Sequence, residues 1–266
     1  MGRRRVRVLF LGQCLQYGYE DVDRASTFVA LAASRLSARF PSLSVHLDLK
    51  HLYHPRGLRA ILQHRLWLSK PDIAVIGVVG TFAAAPTRVS LLYEIAPEVV
   101  DTARSFLQKI EARGRSGGAI RAQTPLDGLF AWHPPIALDE YERLVGEGVE
   151  LCQSAGCRAV LLGPGRFNED TSEDSSGLSP KLWCEVNEMV RRLGKSMSVP
   201  TIDALGALSE HGGEVFLPGN IRWSRTGHEV VAREVESVLA AEVLATAIGS
   251  SARSRDARVS TGNSRG

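Results

Sequence analysis

Residues 73–79 form an uninterrupted apolar run, Ile-Ala-Val-Ile-Gly-Val-Val, which begins two residues after Pro71. A run of this length is typical of a central strand in a parallel sheet, because helices cover both of its faces. Parallel strands are joined by crossover connections that are usually helical. The run therefore predicts an α/β protein in which strands and helices alternate along the chain.

The rest of the chain has the same alternation of strand and helix patterns. Further strands are predicted at residues 6–11, 43–49, 159–162 and 199–202. Helices are predicted at residues 22–38, 58–68, 91–112, 138–155, 181–193 and 226–247. The pattern predicts a doubly wound, three-layer α/β/α fold with a mainly parallel sheet.

One large domain at residues 1–248 is expected, since 266 residues suffice for a single α/β core. Residues 114–137 are predicted to be an ordered excursion, because this Gly- and Pro-rich segment carries Phe130, Trp132 and His133. Residues 249–266 have the polar composition of a disordered tail.

Composition and charge favour a protein of the cytoplasm. The net charge is only +3, and arginines crowd residues 3–7 and 253–265. They are interpreted as solvated ends rather than as a nucleic-acid or lipid site, because no aromatic or Gly-rich recognition pattern accompanies them. The apolar run after Arg5 spans about five residues, too few for a signal peptide, and no segment approaches the ~20 apolar residues of a membrane span. Neither a membrane nor a nucleic acid is expected as a partner.

Cys14 differs from the other three cysteines. Residues 8–18 are typical of a buried strand that runs into a tight loop, and Cys14 lies in that loop, where α/β folds commonly expose a nucleophile. Cys152, Cys157 and Cys184 lack the spacing of a zinc or redox site and are predicted to be buried small apolar side chains. No metal and no cofactor is expected.

Four segments, in order, resemble the sequence blocks of the SGNH (GDSL-type) hydrolases. Residues 12–18, Gly-Gln-Cys-Leu-Gln-Tyr-Gly, resemble the first block, Gly-Asp-Ser-Leu-x-x-Gly. The other three are residues 71–81, residues 199–203 and residues 217–228. The resemblance extends over residues 6–247 and implies the flavodoxin-like fold of that family and a small-molecule substrate.

The resemblance also shows where this chain departs from the family. SGNH enzymes use a serine nucleophile, a late Asp-x-x-His pair, and an oxyanion hole made by the nucleophile's own N–H, a glycine and an asparagine. Position by position, Cys14 stands for the serine, Gly219 for the aspartate, Arg222 for the histidine and Phe82 for the asparagine. The block with the oxyanion glycine falls within residues 52–58. The usual esterase machinery is therefore not implied.

These replacements are chemically coherent as a thiolate site. A cysteine ionises far more readily than a serine, and a positive neighbour favours its thiolate. Arg222 stays protonated and cannot be a general base, but it can hold a thiolate, or a substrate carboxylate or phosphate. His54 is a candidate for the missing base and His133 a weaker one, against the common alternative of a surface or hydrogen-bonded core histidine. His228 is interpreted as structural.

The candidate substrate-binding residues are mostly apolar. Phe82 places an aromatic ring where the family has a polar donor, and Trp223 either lines the pocket or belongs to the core. Together they favour a partly apolar substrate. The full set of substrate-binding candidates is Gln13, Tyr17, Gly80, Thr81, Phe82 and Trp223.

The sequence is compatible with three functions. The first is an enzyme that uses Cys14 for acyl transfer or for cleavage of an ester or thioester, with Cys14, Arg222 and His54 as catalytic residues. Its substrate is a small molecule, with a carrier-bound acyl group as an alternative, in bacterial specialised metabolism. The second is a non-covalent cyclase or isomerase in the same pocket. The third is a ligand-binding protein that has lost catalysis.

Overall fold

The computed structural model describes residues 4–12, 22–52, 54–80, 83, 87–90, 130–133, 135–165, 180–217 and 222–262. Its main sheet has five parallel strands in the order β2-β1-β3-β6-β7. These strands are β1 (Arg4–Gly12), β2 (Leu43–His51), β3 (Ile73–Gly77), β6 (Arg158–Leu162) and β7 (Thr201–Ile202). A separate antiparallel pair joins β4 (Thr87–Ser90) to β5 (Phe130–His133).

Six α-helices are described, and together with the sheet they complete the predicted α/β/α arrangement. They are α1 (Phe28–Arg39), α2 (Leu58–Leu68), α3 (Leu138–Ser154), α4 (Pro180–Met197), α5 (Ala204–Ser209) and α6 (Arg225–Gly262). The predicted helix at residues 91–112 lies outside the described residues, as does most of the predicted excursion at 114–137.

The side chains of the central strands alternate between two hydrophobic cores. On one face, Leu9 and Ile76 pack with residues of α2, α3 and α4. On the other face, Phe10 and Val75 pack with residues of α1, α5 and α6. All five residues of β3 are buried, as expected for a central parallel strand with helices on both faces. β3 is the central strand of the five, and β1 pairs with it on one side and with β2 on the other.

Two sequence-based expectations differ from the structure. α6 continues to Gly262, through the segment predicted to be a disordered tail. That segment contains alanines and arginines and no proline, so an existing helix can propagate through it at little cost. Cys184 is exposed on α4, whereas Cys152 and Cys157 are buried as predicted. The prediction that Cys184 is buried was wrong, because this position on α4 faces away from the core.

Candidate functional site

The carboxyl ends of the parallel strands meet at one edge of the sheet, where open α/β sheets bind ligands. Backbone hydrogen bonds tie these ends together: Leu52 N–H donates to the carbonyl of Gly12 (2.7 Å), and Val78 N–H donates to that of Leu162 (2.8 Å). β1 ends at Gly12, between the ends of β2 and β3 at this edge. Cys14 follows two residues later in the sequence and lies outside the described residues, as do Gln13, Tyr17, Thr81 and Phe82.

His54 lies at this edge, just after β2, and is 5% exposed. Its Nδ1 accepts a hydrogen bond from Arg56 N–H (3.3 Å) and so caps the 3₁₀ turn Pro55–Gly57. Because Nδ1 accepts, the proton of the neutral imidazole is on Nε2. Nε2 of His54 is therefore a hydrogen-bond donor in this arrangement.

The turn that carries His54 is joined to the first turn of α3 by an ion pair. Arg56 donates from Nε and Nη2 to the two carboxylate oxygens of Glu140 (3.0 and 3.3 Å). The hydrogen bond from Arg56 lowers the pKa of Glu140. Arg56 and Glu140 therefore form an ion pair beside the carboxyl ends of the strands.

Gly80 follows β3, and its position depends on two aromatic residues. The hydroxyl of Tyr141 accepts from Val79 N–H (2.8 Å) and donates to the Val79 carbonyl (3.3 Å). The ring of Trp183 covers Gly80 so closely that a Cβ at residue 80 would lie 2.2 Å from Cζ3. These contacts hold the chain that leads to Thr81 and Phe82.

Arg222 lies shortly before α6, next to an antiparallel bridge. Leu217 N–H donates to the Arg222 carbonyl (2.9 Å), Ser224 N–H donates to the Val215 carbonyl (2.9 Å), and Phe216 pairs with Trp223 in a β-bridge. The side chain of Arg222 is exposed. These hydrogen bonds therefore fix the backbone at residue 222.

Trp223 packs in the core on one face of the sheet. It is 4% exposed, and its ring covers Gly165, where a Cβ would lie 1.9 Å from Cζ2. The ring also packs edge-on against Phe28 (5.9 Å between centroids) and His228 (5.5 Å). Trp223 directly follows Arg222 in the sequence. Its packing therefore holds the chain at this point against the segment that follows β6 and against the start of α1.

His228 is fully buried at the start of α6, consistent with a structural role. Its Nδ1 accepts from the backbone N–H of Phe28 (3.1 Å), the first residue of α1. Burial lowers the pKa of His228 to about 4. The ring is therefore neutral near pH 7, which is the state in which Nδ1 can accept.

The structure brings His54 and Gly80 to the edge where β1 ends, and it holds the Arg222 segment against the N-terminus of α1. Sequence reasoning missed the roles of Tyr141 and Trp183, because aromatic residues at helical spacing have the pattern of ordinary core residues. Among the residues that the structure describes, no three His, Cys, Asp or Glu side chains are grouped as metal ligands would be. Within the same ranges, no helix combines the length and the apolar character needed to cross a bilayer.

The architecture is the SGNH-type hydrolase fold, as the sequence resemblance implied. No family model matches the chain, and no curated protein matches it in sequence. Solved structures do match over nearly the whole chain. A lipase/acylhydrolase from Enterococcus faecalis has a TM-score of 0.59 and 14% identity, over 89% of this chain and 96% of its own.

Two further solved structures share this fold at similar distance. A catalytic mutant of an acetylxylan esterase from Geobacillus stearothermophilus has a TM-score of 0.55 and 15% identity, over 86% of this chain and 91% of its own. A protein of the G-D-S-L lipolytic family from Desulfitobacterium hafniense DCB-2 has a TM-score of 0.54 and 10% identity, over 88% and 99%. At these identities the likeness establishes the fold, and the chemistry has to be argued from the site.

Proposed function

We propose that this protein is an SGNH-type enzyme that uses Cys14 as a nucleophile to cleave or transfer the acyl group of a small, partly apolar ester or thioester. The observation that carries the proposal is that β1 ends at Gly12 between the ends of β2 and β3, at the carboxyl edge of the sheet. Cys14 follows by two residues, in the sequence position of the family's serine. Beside β1, the ends of β2 and β3 lead to His54 and Gly80.

The proposed reaction begins with attack by the Cys14 thiolate on the carbonyl carbon of the substrate. A carbon–sulfur bond forms, and the alcohol or thiol leaves with its bonding electron pair and takes a proton. Water, or an acceptor alcohol or amine, then attacks the carbonyl carbon of the acyl-cysteine. The carbon–sulfur bond breaks, the acyl group leaves on the attacking oxygen or nitrogen, and Cys14 takes up the released proton as a free thiol. The proposed reaction involves no change of oxidation state and therefore requires no oxidant.

Arg222 supports this chemistry as a cation rather than as a base. Arg222 is an exposed residue, and the hydrogen bonds of Leu217 and Ser224 hold its backbone. An arginine near a thiol favours the thiolate through charge-assisted hydrogen bonding. It can also bind a carboxylate or phosphate of the substrate, which is the second role that we keep open for Arg222.

His54 fits the role of a donor better than that of a first base. With Nδ1 engaged by Arg56 N–H, its Nε2–H can donate to the oxygen that becomes negative in the tetrahedral intermediate. That donor would compensate for the loss of the family's asparagine at Phe82. A role as base would require the Nδ1 hydrogen bond to be exchanged.

Turnover of aryl esters and aryl thioesters by three proteins tests the proposal. Cys14→Ala is expected to lose at least about 100-fold in kcat/KM, because the nucleophile is removed. Cys184→Ala is the matched control, since Cys184 is an exposed cysteine on α4, and it is expected to retain full activity. Full activity in Cys14→Ala would overturn the proposal.

The two alternatives predict different results, and neither predicts turnover of aryl esters or aryl thioesters through Cys14. A cyclase or isomerase that works without a covalent step would tolerate Cys14→Ser and lose activity in Arg222→Ala. A ligand-binding protein without catalysis would turn over no ester or thioester, while its ligand would bind tightly and stabilise the fold. The proposed enzyme requires the thiol itself.

A further inference from the structure

β2 is an edge strand of the main sheet. It spans nine residues, contains no proline, and pairs with β1 on one side. Within the described ranges, no strand lies on its other side. The outer edge of such a strand presents backbone N–H and carbonyl groups that can pair with another strand. The sequence of β2 therefore decides which strand fits there.

The direction of the β2 backbone shows which residues form its outer edge. Leu52, one residue past β2, donates its N–H to the carbonyl of Gly12 at the end of β1 (2.7 Å). Backbone groups alternate in direction along a strand, so Val45, Leu47 and Leu49 direct their N–H and carbonyl groups away from β1. Among the residues that the structure describes, these outward N–H groups have no acceptor. The edge centred on Leu47 is therefore open to an additional strand.

β2 is complementary to itself when two copies run antiparallel about Leu47, which is its midpoint. Leu47 then lies opposite Leu47 of the other copy, and Val45 lies opposite Leu49. Each of these residues exchanges N–H and carbonyl hydrogen bonds with the residue opposite, so all the outward groups gain partners. Between these pairs, His46 of each copy lies opposite Asp48 of the other. An imidazole and a carboxylate attract one another, whereas like charges in directly opposite positions are destabilising.

The side chains of His46 and Asp48 are accessible for that contact. Both lie on the face of β2 that α2 covers, because Oδ2 of Asp48 is 3.8 Å from Nη1 of Arg65 and alternate residues share a face. The Asp48 side chain remains 39% exposed beside Arg65. His46 is exposed, and its Nε2 is 2.9 Å from the hydroxyl of Ser44 on the same strand. Neither side chain has to leave a buried position to reach a second copy.

We propose that two copies of this chain associate through β2, as an antiparallel strand pair centred on Leu47 that joins their main sheets into one. The two-fold axis of such a pair is perpendicular to the sheet, so the α2 face of one copy continues into the α2 face of the other. The symmetry also duplicates every contact, and the pair of His46 with Asp48 therefore occurs twice. The inference concerns association of the protein and is independent of the chemistry at Cys14.

Analytical ultracentrifugation over a range of protein concentrations tests the association itself. We expect a concentration-dependent species of twice the 28.9 kDa mass of the chain. Leu47→Pro removes an outward N–H and leaves the hydrogen bonds to β1 in place, because proline is tolerated on the open side of an edge strand. Leu47→Val is the matched control, since it shortens the same side chain and keeps the N–H. We expect the Pro variant to be monomeric and the Val variant to dimerise.

Two substitutions at His46 test the register and do not alter the backbone. In His46→Lys, an ammonium group lies opposite Asp48 of the other copy, whereas in His46→Asp two carboxylates are opposed. We expect the Kd of the dimer to be at least about tenfold higher for the Asp variant than for the Lys variant, because each pair occurs twice. Equal Kd values would overturn the inference, as would a wild-type protein that is monomeric at every concentration. If Leu47→Pro does not fold, this pair of variants decides.

Hydrogen exchange of the outward amides distinguishes a second copy from other occupants of the edge. We expect the amides of Val45, Leu47 and Leu49 to exchange slowly in concentrated protein and rapidly after dilution to the monomer. Slow exchange that persists in the monomer would mean that another part of the same chain covers the edge, and would overturn the inference. A dimer in which these amides exchange as rapidly as in the monomer would also overturn it, because its interface would lie elsewhere.

Discussion

The indole ring of Trp183 lies against the backbone of Gly80, so closely that a methyl group at residue 80 would be 2.2 Å from Cζ3. Trp183 is at the start of α4 and only 5% exposed. The contact fixes the chain just after β3, which is the segment that leads to Thr81 and Phe82. Only a glycine leaves room for the ring.

Gly80→Ala is expected to destabilise the protein by about 1–3 kcal/mol, because the Trp183 ring has to move out of a packed position. The free energy of unfolding in urea measures the change. Gly213→Ala is the control, since a Cβ there meets nothing within 4 Å. If the two alanine variants have the same stability, the packing of Trp183 on Gly80 is not as described.

The hydroxyl of Tyr141 gives a second prediction at the same strand end. It serves both the N–H and the carbonyl of Val79, so Tyr141→Phe leaves both groups without this partner. We expect a loss of about 1–3 kcal/mol in the free energy of unfolding. Ser154→Ala removes a hydroxyl hydrogen bond at the surface of α3 and is expected to cost under about 0.5 kcal/mol. Equal losses in both variants would contradict the role of Tyr141.

His228 makes stability depend on pH in a defined direction. Its pKa is lowered from 6.5 to about 4 by burial, so between these values the unfolded chain binds a proton that the folded protein does not. The stabilisation is complete above pH 6.5 and is lost as the pH falls towards 4. From about pH 7 to about pH 4.5 the loss is about 2 kcal/mol.

The comparison of wild type with His228→Asn isolates that contribution, since asparagine does not titrate in this range. Urea unfolding of both proteins at the two pH values gives the difference directly. We expect the wild type to lose about 2 kcal/mol more than the Asn variant on acidification. Parallel losses in the two proteins would show that His228 is not protonated selectively in the unfolded state.

Arg222→Ala tests the cationic partner of the proposed thiolate. The alkylation rate of Cys14 relative to Cys184 is expected to fall about tenfold, as is typical when a favourable charge near a thiolate is removed. Arg233→Ala on α6 is the control, because Arg233 is exposed and donates to the Glu229 carbonyl on its own helix. An unchanged ratio in Arg222→Ala would assign Arg222 to substrate binding or to the surface.

The sequence predicted those parts of the structure that depend on local periodicity. The run at residues 73–79 identified β3, and the helix at 58–68 has the bounds of α2, because apolar spacing and the following Pro71 are visible in the chain. The contacts of the site were not predictable. Tyr141 and Val79 are 62 residues apart, and Phe28 and His228 are 200 apart, so only the folded topology brings them together.

The environment of Cys184 was predicted wrongly from the sequence. A cysteine without a metal-binding spacing was expected to be a buried small side chain, which is the commonest environment for that residue type. On α4 it lies one residue after the buried Trp183 and is directed to solvent. Composition gives the average behaviour of a residue type, whereas helical phase decides the individual case.

The central claim, a covalent acyl intermediate on Cys14, is tested most directly by intact-mass spectrometry after rapid mixing with an aryl ester. We predict a mass increase of one acyl group on the wild-type protein, located by peptide mapping to Cys14 and removed by hydroxylamine. Cys14→Ala is predicted to show neither the adduct nor turnover. Turnover of the same ester by Cys14→Ala at the wild-type rate, with no acyl group on the wild-type Cys14 peptide, would contradict the account.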